Sequence, residues 1–264
     1  DHPRAAVGKV GVLLINLGTP DEPTPAAVRR YLAQFLSDPR VVEIPKAIWL
    51  PILHGIILRT RPKKSAHAYQ QVWMPEGSPL AVFTARQANA LRARLGDAVV
   101  VDWAMRYGNP AVDDRLRALK EQGCDRILIV PLYPQYSGAT TASVMDAVSS
   151  AIGAMRWQPA LRTLPPYYDD PAHIAALAHN LSGQIGALTF QPEVLLLSFH
   201  GMPERTLHLG DPYYCQCQKT ARLLADALAS QWPSLRVEIT FQSRFGRAKW
   251  LEPATDTVVA AEAR

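Results

Sequence analysis

The most constraining feature of the sequence is an apolar run that ends in a histidine. Residues 194–199 read Val-Leu-Leu-Leu-Ser-Phe, with Pro192 before them and His-Gly-Met-Pro at 200–203. A run of this kind between turn residues predicts a strand buried on both faces, as in a parallel sheet covered by helices. Because ligands of such sheets bind beyond the carboxyl ends of the strands, His200 is a candidate for chemistry. The alternative is a core histidine bonded to a backbone carbonyl.

Similar apolar runs alternate with helical patterns along the whole chain. The order strand, loop, helix, strand of the first half recurs in the second half, so we expect two halves of similar build in an α/β fold. The further predicted strands are residues 9–16, 98–104, 126–132, 160–164 and 235–241.

Composition excludes several classes of protein. The chain has 264 residues and a net charge of +5, without a dense basic block, so we do not expect it to bind nucleic acid. The N-terminal residues do not resemble a signal peptide, and no apolar run approaches the roughly 20 residues that a membrane-spanning helix needs. We therefore predict a cytoplasmic protein.

Residues 44–62 form an unusual segment that we call the lip. It is apolar on nearly all sides, yet Pro45, Pro51 and Gly55 interrupt it, which suits a buried core helix badly. Arg59, Arg61, Lys63 and Lys64 lie at or just beyond its C-terminal end. The composition favours an apolar flap that rests on a bilayer surface or covers an apolar ligand with acidic ends.

Polar and aromatic side chains follow three of the predicted strands. Arg106 and Tyr107 are predicted in a loop after the strand at 98–104, Tyr133 opens a polar loop after residue 132, and residues 243–250 follow the strand at 235–241. Each residue alone is compatible with an ordinary loop position. Together they predict a pocket for a flat, largely apolar ligand at one edge of a sheet.

The C-terminal half does not repeat every element of the first half. It ends after a predicted helix, whereas the first half continues into a strand and a polar loop, so the sequence looks shorter than its internal repeat by one strand and one loop.

Cys215 and Cys217 are two residues apart, and with Cys124 they are the three cysteines of the chain. They do not supply the four thiolates of an iron–sulfur cluster, so we do not expect a 2Fe-2S cluster on the visible cysteines.

Five motifs in a fixed order make the sequence similar to the ferrochelatase family, and the similarity extends over essentially the whole chain. They lie at residues 15–20 (INLGTP), 132–137 (LYPQYS), 198–203 (SFHGMP), 210–213 (GDPY) and 241–251. The resemblance implies two Rossmann-like domains, at 8–158 and 159–264, with a cleft between them. It also implies a lyase that inserts Fe²⁺ as substrate into protoporphyrin IX in the last step of haem synthesis, with the lip in peripheral contact with a membrane.

The resemblance also implies roles for individual residues. His200 matches the histidine that handles the metal or accepts a pyrrole proton. The positions that match porphyrin-binding or cavity-lining residues are Leu17, Arg61, Tyr69, Ser78, Arg106, Tyr107, Tyr133, Ser243 and Trp250. The family's acidic partner of the histidine has no match in this sequence. Two alternatives stay open: a porphyrin-binding protein without catalysis, and a cobalt or nickel chelatase that acts on a related tetrapyrrole.

Overall fold

The computed structural model describes residues 7–244, 246 and 248–263, which form two compact units. Unit 1 comprises the chain up to Tyr133 together with residues 138–165, and unit 2 comprises residues 134–137 together with the chain from Pro166. Compactness alone does not define an independently folding domain, so the predicted boundary between residues 158 and 159 stays a prediction.

Unit 1 is built on a parallel sheet of four strands in the order β2-β1-β3-β4. Successive residues of the central strand β1 enter different clusters: Leu13 and Ile15 face one apolar core, and Val12 and Leu14 face another. Both faces of the strand are therefore buried, as its apolar sequence predicts. The strands are β1 (Lys9–Thr19), β2 (Val99–Gly108), β3 (Cys124–Pro131) and β4 (Ala160–Thr163).

Two helices of unit 1 begin where the sequence supplies a capping side chain. Thr24 and Ser78 accept hydrogen bonds from the backbone N–H groups of Ala27 and Ala81, and a proline follows each of these caps. The helices are α1 (Pro25–Leu36), α2 (Lys46–Ile52), α3 (Leu58–Val72), α4 (Pro79–Leu95), α5 (Val112–Glu121) and α6 (Ser143–Gly153).

Unit 2 contains two parallel strands, β5 (Val194–His200) and β6 (Arg236–Gln242). Their register pairs His200 with Gln242, so both strands end at the same level. The helices are α7 (Pro171–Gly186), α8 (Glu204–His208), α9 (Tyr213–Ala229) and α10 (Thr255–Glu262). The predicted α/β fold, with parallel strands accompanied by helices, is confirmed.

Two predictions about the strands are wrong in detail. Strand β2 continues through Gly108, so Arg106 and Tyr107 lie in a strand and not in a loop. Strand β5 is not buried on both faces, because Ser198 and His200 are exposed. Within the described part of the chain β5 pairs only with β6, which leaves its other edge without a covering strand.

The lip is helical despite its prolines. Its residues lie in α2, in a π turn at Leu53–Ile57 and in the start of α3, with Pro51 and Pro62 inside the helices. The π turn changes the hydrogen-bond register between the two prolines. The interruptions therefore do not prevent a helix, but the lip is not a buried core helix, since Ile48, Ile52 and Ile56 are exposed.

The two units share a local construction at the ends of their strands. In unit 1 the N–H group of Met105 donates to Pro110 O at 2.7 Å, and in unit 2 the N–H group of Phe241 donates to Pro253 O at 2.8 Å. Each contact connects a strand end to the start of the next helix. The repeat predicted between the two halves therefore extends to individual backbone contacts.

No helix among the described residues has the length and apolar character required to cross a membrane.

Candidate functional site

The imidazole of His200 stands at the carboxyl end of β5 with one nitrogen already engaged. Its Nδ1 lies 2.7 Å from the carbonyl oxygen of Gly201. A carbonyl oxygen can only accept, so Nδ1 carries the hydrogen of the neutral ring. Nε2 is then unprotonated and has a lone pair in the plane of the ring. The exposed side chain can therefore accept a proton or bind a metal ion through Nε2.

The backbone after His200 requires glycine. The N–H group of Gly201 donates to Gln242 O at 2.6 Å, and a Cβ atom at this position would lie 2.6 Å from the same oxygen. The indole of Trp250 packs against the same glycine, 3.4 Å from where a Cβ atom would be, and Trp250 forms a β-bridge with Pro203. The structure thus brings Trp250 to the turn that carries His200.

Ser243 directly follows β6 and has a positive φ of 69°. Such a conformation is uncommon for a residue other than glycine and is often associated with functional positions. Ser243 borders a cavity of about 340 Å³. The other residues that line this cavity are Phe241, Gln242, Arg244, Thr255 and Asp256.

Two residues that sequence reasoning did not assign support the His200 turn. The hydroxyl of Tyr213 donates to the carbonyl oxygen of His200 at 3.0 Å. The carboxylate of Asp211 accepts from the N–H group of Tyr213 at 3.0 Å and from the hydroxyl of Ser137 at 3.2 Å. The Asp-Pro-Tyr sequence at 211–213 was the available signal for this support.

In unit 1, Arg106 and Tyr107 belong to a buried polar network around Asp38. Asp38 Oδ2 accepts hydrogen bonds from Arg106 Nη2 at 2.6 Å, from the Tyr107 hydroxyl at 2.7 Å and from the Ser143 hydroxyl at 2.6 Å. The Arg106 guanidinium also lies 4.4 Å from the centre of the Tyr107 ring. Tyr107 is fully buried, so its side chain is not exposed to an open cavity, in contrast to the expectation that it lines one.

The Asp38 network favours a charged carboxylate. Burial by itself would raise the pKa of Asp38, but hydrogen bonds from Ser143, Tyr107 and the backbone of Arg40, together with the positive charge of Arg106, bring it below the usual 3.8. Asp38 is therefore ionised at neutral pH and balances the charge of Arg106.

A second set of aromatic side chains surrounds Tyr31 in α1. Tyr31 is buried close to Tyr69, Tyr133 and Tyr107, and burial followed by the proximity of Tyr69 raises its pKa above the ordinary value. Tyr31 is not among the site residues that the sequence predicts. The structure thus brings three predicted site tyrosines together around a residue that was missed.

Tyr133 has an unusual buried hydroxyl. Among the described residues, its Oη atom and Oγ1 of Thr141 are buried without a hydrogen-bond partner. Burial also raises the pKa of Tyr133, with a smaller opposing effect from the charge of Arg106 nearby. A buried hydroxyl without a partner costs free energy, so its partner is expected to be a bound molecule or a water.

The other predicted residues of unit 1 are more dispersed. Leu17 lies near the end of β1 and is half-buried, and Arg61 is exposed on α3. Ser78 is buried as the cap of α4, so its hydroxyl oxygen is partly used by Ala81 N–H. No hydrogen bond, ion pair or ring contact among the described residues connects Arg61 or Ser78 with the tyrosines around Tyr31.

The cysteines lie in different surroundings. Cys215 is exposed, whereas Cys124 and Cys217 are buried. Burial raises the pKa of the Cys217 thiol to about 12. Within the described ranges, no group of three or more histidine, cysteine, aspartate or glutamate side chains is arranged to hold a metal ion.

Comparisons with known proteins identify the family. The ferrochelatase family profile matches residues 9–264. The ferrochelatase of Rhizobium meliloti is 52% identical over 98% of this chain and 77% of its own length. Those of Azoarcus and Polaromonas are 55% and 57% identical, over 100% and 96% of this chain and 72% and 69% of their own lengths. The chain therefore belongs to the ferrochelatase family, the enzymes that insert Fe²⁺ into protoporphyrin to form haem.

Proposed function

We propose that Nε2 of His200 is the atom that accepts a pyrrole proton or holds the incoming metal during this reaction. The observation that carries the proposal is the bond from Nδ1 to Gly201 O, which leaves Nε2 as the available lone pair. Imidazole is suited to both tasks because it is a base near neutral pH and binds ferrous iron. The test is to replace His200 with alanine and to measure metal insertion and porphyrin binding separately.

The reaction must remove two protons from the porphyrin. Free porphyrin carries two pyrrole N–H groups, and both protons leave as Fe²⁺ forms bonds to the four ring nitrogens. Neutral His200 can take one pyrrole proton at Nε2 and pass it to solvent from its exposed position. The imidazole can then accept the second pyrrole proton. General base catalysis of this kind typically contributes a factor of about 10² to 10⁴ in rate.

We assign the porphyrin contacts by the chemistry of each side chain. Leu17, Tyr133 and Trp250 offer apolar or aromatic surface to a flat ring, and the unpaired hydroxyl of Tyr133 can meet a polar group of the bound molecule. Arg61 is exposed and can pair with a propionate. The hydroxyls of Tyr69, Ser78 and Ser243 can donate to carboxylate oxygens. We assign Arg106 and Tyr107 a supporting role next to the residues that contact the porphyrin.

The lip supports a peripheral contact of a cytoplasmic enzyme with a membrane. Its inward face packs Leu53 and Trp49 against α1, and Trp49 Nε1 donates to Leu36 O at 2.6 Å. Its outward face exposes Ile48, Ile52 and Ile56, which follow one another at the i, i+4 spacing of one helix side. The exposed basic residues of the following helix are suited to anionic lipid head groups.

Replacing Ile48 and Ile56 with glutamine is expected to weaken binding to vesicles that contain anionic lipid by at least about tenfold, because each isoleucine contributes buried apolar area in the interface. Co-sedimentation with vesicles measures the effect. Leu209→Gln is the control, since Leu209 is as exposed but lies in unit 2. Equal binding by the lip variant and the control would contradict the proposed contact.

A further inference from the structure

Asp38 lies at the point where α1 ends and the chain continues towards the lip. Its side chain is only 4% exposed, and that of its partner Arg106 is 17% exposed. The three donors to Asp38 Oδ2 come from the end of β2 and the start of α6, while Oδ1 accepts from the backbone N–H of Arg40 at 2.7 Å. The carboxylate therefore connects three elements of unit 1.

The same contacts engage Arg106 at two of its three nitrogens. Its Nη2 is bound to Asp38, and its Nε donates to both the carbonyl oxygen and the hydroxyl of Ser143 at 2.8 Å. One face of the guanidinium covers the Tyr107 ring. The ion pair with Asp38 offsets the charge of Arg106 and holds the group in one orientation, so its attraction for a substrate carboxylate is reduced.

Arg106 is nevertheless placed where a substrate carboxylate could use it. It lies at the carboxyl end of β2 and near the unpaired hydroxyl of Tyr133. It also borders a cavity of about 460 Å³, whose other lining residues come mainly from α5 and α6, so a guanidinium released from Asp38 would have room to move. A porphyrin with additional carboxylates needs additional cations when it is removed from water.

We propose that Asp38 is a positioning residue that sets substrate specificity. By holding Arg106 in a buried ion pair, it withholds this cation from additional carboxylates and favours porphyrins with two carboxylates over porphyrins with four. This inference rests on the porphyrin site proposed above. It assigns to Asp38 an effect on the choice of substrate that a purely structural residue would not have.

The test compares Asp38→Asn with the unchanged chain in zinc insertion, using protoporphyrin and the four-carboxylate coproporphyrin. Asparagine keeps the shape and can still accept hydrogen bonds, but it leaves the charge of Arg106 without its counter-ion. The ratio of kcat/KM for the two porphyrins is expected to shift towards coproporphyrin by about tenfold. A loss of folded protein lowers both values alike, so the ratio does not respond to it.

Asp102→Asn is the matched control. Asp102 lies on the same strand and forms a partly buried pair with Arg115 at 3.5 Å, so its loss also removes a counter-ion from an arginine. This control is expected to keep the original ratio. The double variant Asp38→Asn with Arg106→Gln, which removes both charges of the pair, is expected to return the ratio to within about twofold of the original.

Equal losses with both porphyrins in Asp38→Asn would overturn the proposal. If Asp38→Asn does not fold, the double variant is the test. A ratio of kcat/KM shifted against protoporphyrin in the double variant would show that Arg106 already binds the propionates of protoporphyrin. That result would also overturn the proposal. The proposed function has a separate test. Undiminished metal insertion by His200→Ala would contradict the role of His200, whereas an unshifted ratio in Asp38→Asn contradicts only the role of Asp38.

Discussion

Replacing His200 with alanine is expected to lower the rate of metal insertion by about 10²- to 10⁴-fold while protoporphyrin still binds. The substitution removes the Nε2 lone pair, which is the proposed acceptor of a pyrrole proton or ligand of the metal. The proposed porphyrin contacts belong to other side chains, so binding is expected to persist. Zinc insertion followed by absorbance measures the rate, and quenching of tryptophan fluorescence measures porphyrin binding.

His208→Ala is the control for this prediction. His208 is on α8 in the same unit, its side chain is 70% exposed, and it lies 3.7 Å from the carboxylate of Glu204. It should leave the rate of zinc insertion unchanged, since its imidazole is exposed to solvent and has no part in the proposed reaction. A rate in His200→Ala that lies within about threefold of the control would remove His200 from the reaction.

Gly18→Ala is expected to destabilise the protein by about 3 kcal/mol or more. Gly18 has a φ of 118°, and a Cβ atom there would lie 1.8 Å from the backbone oxygen of Tyr107. Relief of this overlap must separate the paired ends of β1 and β2. The same movement would displace Tyr107 and Arg106 from Asp38. The free energy of unfolding should therefore fall by more than is usual when alanine replaces a glycine of positive φ.

Urea unfolding followed by circular dichroism measures this loss. Gly183→Ala serves as the comparison because Gly183 is exposed inside α7 and a Cβ atom there would meet no heavy atom within 4 Å. It is expected to stabilise the protein by about 0.5 to 1 kcal/mol, since alanine is the better helix former. Similar stabilities of the two variants would mean that the close approach of β1 and β2 is not as described.

The strands of the fold could be predicted because their sequences are continuous apolar runs. Those of β1 and β3 indicate the buried strands directly, and the turn at 201–203 marks the carboxyl end of β5. The full length of β2 could not be read from the apolar pattern. Arg106 is polar and Gly108 has a positive φ, yet both continue the strand because Tyr107 pairs with Gly18 and Gly108 pairs with Thr19 of β1.

The polar support of the site was the least predictable part. Asp38 stands in the sequence Ser-Asp-Pro, which is typical of an exposed turn, and only the tertiary structure buries it against Arg106. Tyr31 gives no functional signal in the sequence because it lies among the buried apolar residues of α1. Contacts between residues distant in sequence leave no periodic signal, so such partners emerge only once the elements are placed.

We infer that Nε2 of His200 is unprotonated in the neutral imidazole and free to act. Nitrogen NMR of the protein with ¹⁵N-labelled histidine tests it most directly, with His200→Ala used to assign the resonances. We predict that neutral His200 shows a protonated Nδ1, as its bond to Gly201 O requires, and an unprotonated Nε2. A neutral ring with the hydrogen on Nε2 would contradict the claim.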